Sequence, residues 1–193
     1  HGGYIKRMPI DAYRKQGRGG RGIIGSDTKE GDFLEHLFVA STHDYILFFT
    51  SKGICHWLKV YHVPAMSRQS KGRNIVNLLN LDKDETITSI INVREFDNQR
   101  QLVMATRNGV VKKTVLSAYG NPRTNGVIAL KLDDDDKLIG VAITSGQDDI
   151  ILGTTLNPGW RAVYLFEGKS DSGDSEDFGN DVTPYISYTG YYL

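Results

Sequence analysis

The hydrophobic residues of this chain fall into short runs, rich in β-branched and aromatic side chains and bounded by glycine, asparagine or aspartate. Runs of this kind are typical of β-strands, and almost no stretch has the spacing of an amphipathic helix. Two runs end in a similar way, each with a polar pair before a glycine, at 45–53 and 101–109. Glycine supplies the positive φ of a tight hairpin turn, so the pattern predicts an all-β fold.

The same order of elements recurs along the chain: an apolar strand, a turn glycine, a basic strand, a polar loop, a second glycine and another apolar strand. The turn glycines lie 50 and 56 residues apart, at Gly3, Gly53 and Gly109. The second glycines lie 50 and 54 residues apart, at Gly22, Gly72 and Gly126. A period near 50 residues with several strands in each repeat is typical of a propeller-like array.

A fourth repeat begins at Asp149, so residues 1–156 are expected to form about three to four blades. The chain changes character after Leu156: residues 167–193 contain six acidic residues and one lysine. We expect residues 157–193 to be a divergent or truncated tail. A separate acidic run, residues 133–136, lacks the alternating spacing of a calcium loop and is predicted to be a solvated turn between blades.

Charge divides the chain in two, although its net charge is zero. Residues 1–80 contain twelve Lys and Arg against six Asp and Glu, whereas residues 81–193 contain eleven against seventeen. The basic half indicates either an anionic partner or an ordinary solvated surface. The single cysteine, Cys55, cannot form an internal disulfide, which favours a cytoplasmic protein. No apolar run is long enough to span a membrane.

The most distinctive segment is the loop Gln16-Gly-Arg-Gly-Gly-Arg-Gly22, preceded by Arg14 and Lys15. Glycine lets backbone N–H groups approach a phosphate closely, and arginine adds charge-assisted hydrogen bonds to phosphate oxygens. The loop therefore predicts binding to a DNA or RNA backbone, without readout of bases. It lacks the lysine and hydroxyl of a mononucleotide P-loop and the following helix of a dinucleotide site. A short RNA-binding segment rich in arginine and glycine remains an alternative.

Other basic residues occupy comparable positions in the repeats. We predict that they join the DNA-binding surface: Lys6, Arg7, Lys59, Lys112 and Lys113 on the basic strands, and Arg68, Lys71, Arg73 and Arg123 in the loops. If the repeats form a ring, equivalent loops lie along one rim and offer a curved positive track for a bent duplex.

No arrangement of residues suited to catalysis or to metal binding occurs in the sequence. The histidines at positions 36, 43, 56 and 62 lack ligand spacing and are expected to be structural or exposed. Tyr13 and Arg14 are neighbours, but no acidic metal-binding motif accompanies them. We therefore expect a binding domain that is not itself an enzyme.

The Gln16–Gly22 loop closely resembles the GyrA box found in the family of DNA gyrase A subunits, whose usual form is Gln-Arg-Arg-Gly-Gly-Lys-Gly. In this chain Gly17 replaces an arginine of that form and Arg21 replaces the lysine. The resemblance extends from about Gly3 to Thr155 and includes further segments: Gly3-Tyr-Ile-Lys-Arg7, Asp32-Phe-Leu-Glu-His-Leu37, Asp44-Tyr-Ile-Leu-Phe-Phe-Thr-Ser-Lys-Gly53, Lys71-Gly72, Asn77-Leu-Leu79 and Asn108-Gly-Val-Val-Lys-Lys-Thr114.

This resemblance implies a β-pinwheel, a propeller-like ring of four-stranded blades in which neighbouring blades exchange strands. Members of the family wrap duplex DNA around the basic edge, which serves ATP-dependent negative supercoiling by the whole enzyme. Carried over by position, the box comprises Gln16, Gly17, Arg18, Gly19, Gly20, Arg21 and Gly22. The family domain usually has six blades, whereas this chain has room for three and part of a fourth.

The resemblance also implies partners and cofactors. The partners are double-stranded DNA, the rest of the gyrase A protein and the gyrase B protein, in a DNA gyrase assembly that contains two of each. No cofactor is expected in this domain, because ATP and Mg²⁺ are bound elsewhere in the full enzyme. Three alternatives stay open: the equivalent domain of topoisomerase IV, which lacks an intact box, a propeller-type protein-interaction scaffold, and a ring-shaped hydrolase.

Overall fold

The computed structural model describes residues 3–10 and 34–148, which contain nine β-strands, short 3-10 turns and no α-helix. No helix within these residues is long and apolar enough to cross a membrane. The strands are β1 Tyr4–Ile5, β2 Tyr45–Thr50, β3 Ile54–Lys59, β4 Arg73–Asn74, β5 Ile87–Val93, β6 Gln101–Thr106, β7 Val111–Val115, β8 Val127–Ile128 and β9 Leu138–Thr144. The 3-10 turns are Val60–His62, Ile75–Asn77 and Leu116–Tyr119.

The strands form two main antiparallel sheets and one short pair. One sheet has the order β5-β2-β3-β8, the second has the order β7-β6-β9, and β1 pairs with β4. The β2–β3 and β6–β7 hairpins turn at Gly53 and Gly109, which adopt φ of +73° and +90°. Both turns confirm the hairpins expected from the sequence.

Neighbouring repeats exchange a strand, as the β-pinwheel prediction requires. Strand β4 of the second repeat pairs with β1 of the first, where Ile5 lies opposite Arg73. Strand β8 of the third repeat likewise pairs with β3 of the second, where Cys55 lies opposite Val127. The all-β pinwheel fold is therefore confirmed in the part of the chain that the structure describes.

Strand β2 lies between two hydrophobic clusters and is buried on both faces. Leu47 and Phe49 pack into a cluster with residues of the second sheet, including Leu102 and Met104. The alternate residues of β2 pack into a second cluster with the 3-10 turns, as Ile46 and Phe48 do with Val60, Val63 and Ile75. Burial on both faces explains why this strand is continuously apolar instead of alternating.

In the second and third repeats a buried carboxylate fastens the hairpin to the loop that precedes the last strand of the repeat. Thr50 donates a 2.5 Å hydrogen bond to Glu85, which also accepts from the backbone N–H of Asp82. In the next repeat Asp136 takes the corresponding place beside Thr106 and accepts from the N–H groups of Asn108 and Lys137. The prediction that residues 133–136 form a solvated turn was therefore wrong for Asp136, because unsatisfied N–H groups of two segments draw its carboxylate inward.

Candidate nucleic-acid interface

The predicted interface has one part that the structure describes and one that it does not. Arg14, Lys15 and the whole box Gln16–Gly22 lie outside the described residues. The nine other predicted DNA-binding residues lie within them, and the structure separates them into loop residues and strand residues with different surroundings.

The loop residues lie beside the second glycines, where one repeat passes its strand to the previous one. Lys71 and Arg73 flank Gly72 and are exposed, while Arg68 in the preceding turn is half-buried. Arg123 is exposed in the corresponding loop of the next repeat, three residues before Gly126. Two successive repeats therefore expose positive charge in equivalent loops, at different distances from the second glycine.

The second glycines are required by close packing between repeats. Gly72 has φ of +90°, and a Cβ there would lie 2.9 Å from the carbonyl oxygen of Ile5. Gly126 has φ of +74°, and its Cβ would lie 2.9 Å from the carbonyl oxygen of Cys55, which is the equivalent residue of the second repeat. Glycine tolerates both the backbone conformation and the contact, so these loops end at a fixed point on the neighbouring strand.

The strand residues Lys6 and Arg7 are half-buried and hydrogen-bonded to the backbone of the second repeat. The Lys6 ammonium donates to the carbonyl oxygens of Ser67, Arg68 and Ser70, at 3.4, 2.7 and 2.5 Å. The Arg7 Nε donates to the carbonyl oxygen of Val63 at 2.7 Å. Their role in DNA binding stays a prediction, and their observed contacts are within the protein.

The remaining strand residues differ in their surroundings. Lys59 donates to the carbonyl oxygen of His43 at 2.7 Å, and its ammonium lies 3.4 Å from the centre of the Tyr45 ring. Such a cation–π contact holds the charge against the protein surface. Lys112 on β7 donates to the carbonyl oxygen of Ala129 at 2.6 Å, and the neighbouring Lys113 is exposed.

Basic residues at the hairpin turns contact the neighbouring acidic turns. Lys52 forms a 3.0 Å ion pair with Asp82, and the hydrogen bond from this carboxylate raises the pKa of Lys52 above its ordinary value. Arg107 in the next hairpin donates to the carbonyl oxygen of Asp135 at 2.6 Å. At the hairpin turns Lys52 is thus paired with a carboxylate and Arg107 is hydrogen-bonded to an acidic turn, whereas the loops that end at the second glycines expose Lys71, Arg73 and Arg123.

Neither a metal-binding group nor a reactive thiol accompanies the exposed cations in the part of the chain that the structure describes. Among residues 3–10 and 34–148, no group of three His, Cys, Asp or Glu side chains could hold a metal ion. The thiol of Cys55 is fully buried, and burial raises its pKa, which opposes formation of a nucleophilic thiolate.

Sequence reasoning missed two features of this surface: the attachment of Lys6 and Arg7 to the second repeat, and the packing role of the second glycines. The sequence did contain a signal for the packing role of the second glycines. They recur with the spacing of the repeat, while the number of cations around them differs from one repeat to the next. The contacts of Lys6 could not be predicted from the sequence, because its acceptors are backbone carbonyl oxygens, which every residue has.

The chain matches the family described as DNA gyrase C-terminal domain, beta-propeller, over residues 1–41, 44–94 and 100–145. It is 53% identical over 154 residues to the DNA gyrase A protein of Clostridium acetobutylicum, an alignment that covers 80% of this chain and 19% of the relative. The chain thus spans about a fifth of the length of this relative.

Two solved structures share the fold. The C-terminal domain of a DNA topoisomerase IV superposes with a TM-score of 0.67 at 30% identity, covering 78% of this chain and 46% of the other. The C-terminal domain of a DNA gyrase A gives 0.55 at 26% identity, covering 76% and 46%. The segments that match the family correspond to the three repeats.

Proposed function

Since the chain belongs to the DNA gyrase C-terminal β-propeller family, we propose that it binds and bends duplex DNA as a non-catalytic wrapping domain. One observation carries the proposal: the loops that end at the second glycines of two successive repeats expose cations, Lys71 and Arg73 at one and Arg123 at the other. Cations in equivalent loops of successive repeats would contact a phosphate backbone at several points along its path. In the sequence the box Gln16–Gly22 ends at the second glycine of the first repeat, so we infer that it binds the same duplex.

Distributed contacts suit a bent duplex on energetic grounds. Bending roughly 20–30 base pairs by 40–90° costs on the order of 1–6 kcal/mol, which contacts along the arc must offset. Each phosphate that a lysine or arginine neutralises releases counterions, so binding should weaken steeply as salt increases. Backbone contacts of this kind position the DNA without reading its sequence.

The finer parts of the proposal concern the whole enzyme. The wrap presents DNA for ATP-dependent negative supercoiling, carried out by two gyrase A and two gyrase B proteins in the bacterial cytoplasm. Strand cleavage, ATP and Mg²⁺ belong to other parts of that assembly, and this domain contributes the path of the DNA. The resemblance of the Gln16–Gly22 loop to an intact box supports the gyrase assignment.

The test measures affinity for a short duplex and for one several times longer across a salt series. Linking number is then read after ligation of nicked circles in the presence of the protein. We expect tighter binding to the longer duplex and a shift in linking number. Absence of DNA binding at low salt would overturn the proposal.

Single substitutions test which of the exposed cations contact DNA phosphates. Lys71→Ala and Arg123→Ala should each lower the slope of log affinity against log salt by about 0.9. Lys83→Ala is the matched control, because Lys83 is an exposed lysine between two aspartates of an acidic turn. An equal loss in the control would show that net charge, and not the loop position, determines binding. Replacing Arg18 and Arg21 by Ala should weaken the linking-number shift more than the affinity.

A second candidate is the equivalent domain of a topoisomerase IV, favoured by the higher TM-score of that structure. This candidate predicts DNA binding with little linking-number shift. Salt-insensitive binding of a protein, with no binding of DNA, would instead indicate an interaction scaffold. The same salt series and ligation therefore separate the three possibilities.

A further inference from the structure

The repeats place side chains of different chemistry at equivalent points on the second strand of each hairpin. Counted from the turn glycine, the third residue is Lys6, His56 or Lys112, and the fourth is Arg7, Trp57 or Lys113. In the first two repeats this strand faces the exchanged strand of the next repeat. In these two repeats, residues at the third and fourth positions therefore lie at the joint with the next repeat.

The side chain at the fourth position donates an equivalent hydrogen bond to the next repeat in both of these repeats. Arg7 Nε donates to the carbonyl oxygen of Val63 at 2.7 Å, and Trp57 Nε1 donates to that of Tyr119 at 2.8 Å. Val63 and Tyr119 are each the tenth residue after the turn glycine of their own repeat. A guanidinium and an indole thus perform one task, which a phosphate-binding role for Arg7 would not explain.

Lys6, at the third position of the first repeat, binds the basic loop of the second repeat. Residues 67–70 form a turn, closed by a 3.2 Å hydrogen bond from the Ser70 N–H to the Ser67 carbonyl. The carbonyl oxygens of Ser67, Arg68 and Ser70 accept from the Lys6 ammonium. A lysine has three N–H donors, and here three backbone acceptors surround them.

The backbone on either side of Lys6 is tied down as well. The N–H of Arg7 donates to Pro64, and the carbonyl of Arg7 accepts from Met66, both at 3.1 Å. Gly72 then packs against the carbonyl of Ile5. The loop that carries Arg68 and Lys71 is therefore attached to the first repeat before, within and after its turn.

We propose that Lys6 and Arg7 are positioning residues that fasten the basic loop 66–72 to the first repeat and do not contact DNA phosphates themselves. Their charges fix the direction in which Arg68, Lys71 and Arg73 are presented. The fastening follows from the contacts alone, while its consequence for DNA rests on the proposed function.

The first test labels the lysines of the intact 193-residue chain with an amine-acylating reagent and reads each site by mass spectrometry. Lys6 should react about tenfold more slowly than exposed Lys71, because its amine must leave charge-assisted hydrogen bonds to react. Added duplex DNA should slow the labelling of Lys71 and leave that of Lys6 unchanged. Equal labelling of both residues in the free protein would overturn the proposal, as would equal protection by DNA.

The second test compares Lys6→Met with Lys71→Met, which removes the same charge from the loop itself. Lys6→Met should accelerate amide hydrogen exchange in residues 66–72, and Lys71→Met should not. The salt slope of DNA binding should fall by about one for Lys71→Met and by more for Lys6→Met, because several cations lose their positions. Lys6→Arg, which keeps a charged donor, should restore both readouts.

A slope reduced by one with unchanged exchange in Lys6→Met would show that Lys6 contacts phosphate directly and would overturn the proposal. If the parent chain binds no DNA, the proposed function fails. Labelling and hydrogen exchange of the free protein still decide whether Lys6 fastens the loop. The wild-type labelling also decides the matter should Lys6→Met fail to fold.

Discussion

Strands β3 and β7 occupy equivalent positions in successive repeats, yet among residues 3–10 and 34–148 a further strand covers β3 and none covers β7. Cys55, His56 and Leu58 of β3 are buried, whereas Val111 and Val115 of β7 are 47% and 40% exposed. The difference arises because β8 of the next repeat pairs with β3, while within residues 3–10 and 34–148 β7 pairs with β6 alone. A repeat of this fold is therefore completed by its neighbour.

The two strands also differ in composition in a way that suits these surroundings. Strand β3 is mostly apolar, with Trp57 reaching across the joint to Tyr119. Strand β7 carries adjacent lysines, Lys112 and Lys113, between its valines. Lysine on an open strand discourages pairing with another chain. We therefore expect the effect of a substitution on the second strand of a hairpin to depend on whether a strand of the next repeat covers it.

The largest expected effect is at the joint that covers β3. Gly126→Ala should lower the free energy of unfolding by about 3 kcal/mol, because φ of +74° and a backbone clash are imposed together. The added Cβ would lie 2.7 Å from Ile54 and 2.9 Å from the carbonyl of Cys55. Urea denaturation of the intact chain measures the change.

Two other glycines serve as controls for this substitution. Gly109 shares a positive φ of +90° but has nothing within 4 Å of its added Cβ, so Gly109→Ala should cost about 1 kcal/mol. Gly140 on β9 has neither constraint, and Gly140→Ala should be close to neutral. Equal losses at Gly126 and Gly109 would mean that backbone conformation alone matters and that the joint is loosely packed.

These glycines also show how far the sequence could lead. The repeat, the hairpin turns and the all-β class follow from glycine spacing and β-branched runs, because local turn chemistry determines them. Strand exchange came only from the family resemblance, since nothing in a strand's own residues tells which neighbour it pairs with. The burial of Glu85 and Asp136 was not predicted, because each lies in an otherwise solvated acidic run. A signal was present, since β2 and β6 both end in a threonine that hydrogen-bonds to the carboxylate.

The second prediction concerns Asp136 beside the β6–β7 hairpin. Burial would raise the pKa of this carboxyl, but the hydrogen bonds from Thr106, Asn108 and Lys137 and the charge of Arg107 outweigh it, and the pKa is lowered. Asp136→Ala leaves those backbone N–H groups unpaired and should cost about 2 kcal/mol. Urea denaturation at neutral pH measures the loss.

The pH dependence of that loss has a definite sign. A carboxyl whose pKa is lower in the folded state stabilises the fold above its unfolded pKa of about 4 and loses this effect as the pH falls through the folded value. The difference between wild type and Asp136→Ala should therefore narrow in acid. A difference that stays constant from about pH 7 to about pH 3 would show that packing, and not the charge, accounts for the loss.

The third prediction returns to the covered strand itself. Cys55 is fully buried opposite Val127, so Cys55→Ser places a hydroxyl in an apolar contact and should cost about 1–2 kcal/mol. The wild-type thiol should also resist alkylation in the folded protein, because burial withdraws it from solvent and raises its pKa. Rapid alkylation under native conditions would mean that β8 separates readily from β3.

The smallest expected effect is at Val111, which takes the place of Cys55 in the next repeat, two residues after the turn glycine. Val111→Thr should change the free energy of unfolding by less than about 0.5 kcal/mol, because an exposed position tolerates a hydroxyl. The same change at Val93, which is fully buried on β5, is the control and should cost about 1–2 kcal/mol. If Val111→Thr proves as harmful as Val93→Thr, β7 must be covered in solution by a further strand, and the contrast between the two hairpins would disappear. A small effect would instead agree with the exposure of Val111 and leave the contrast between the two hairpins standing.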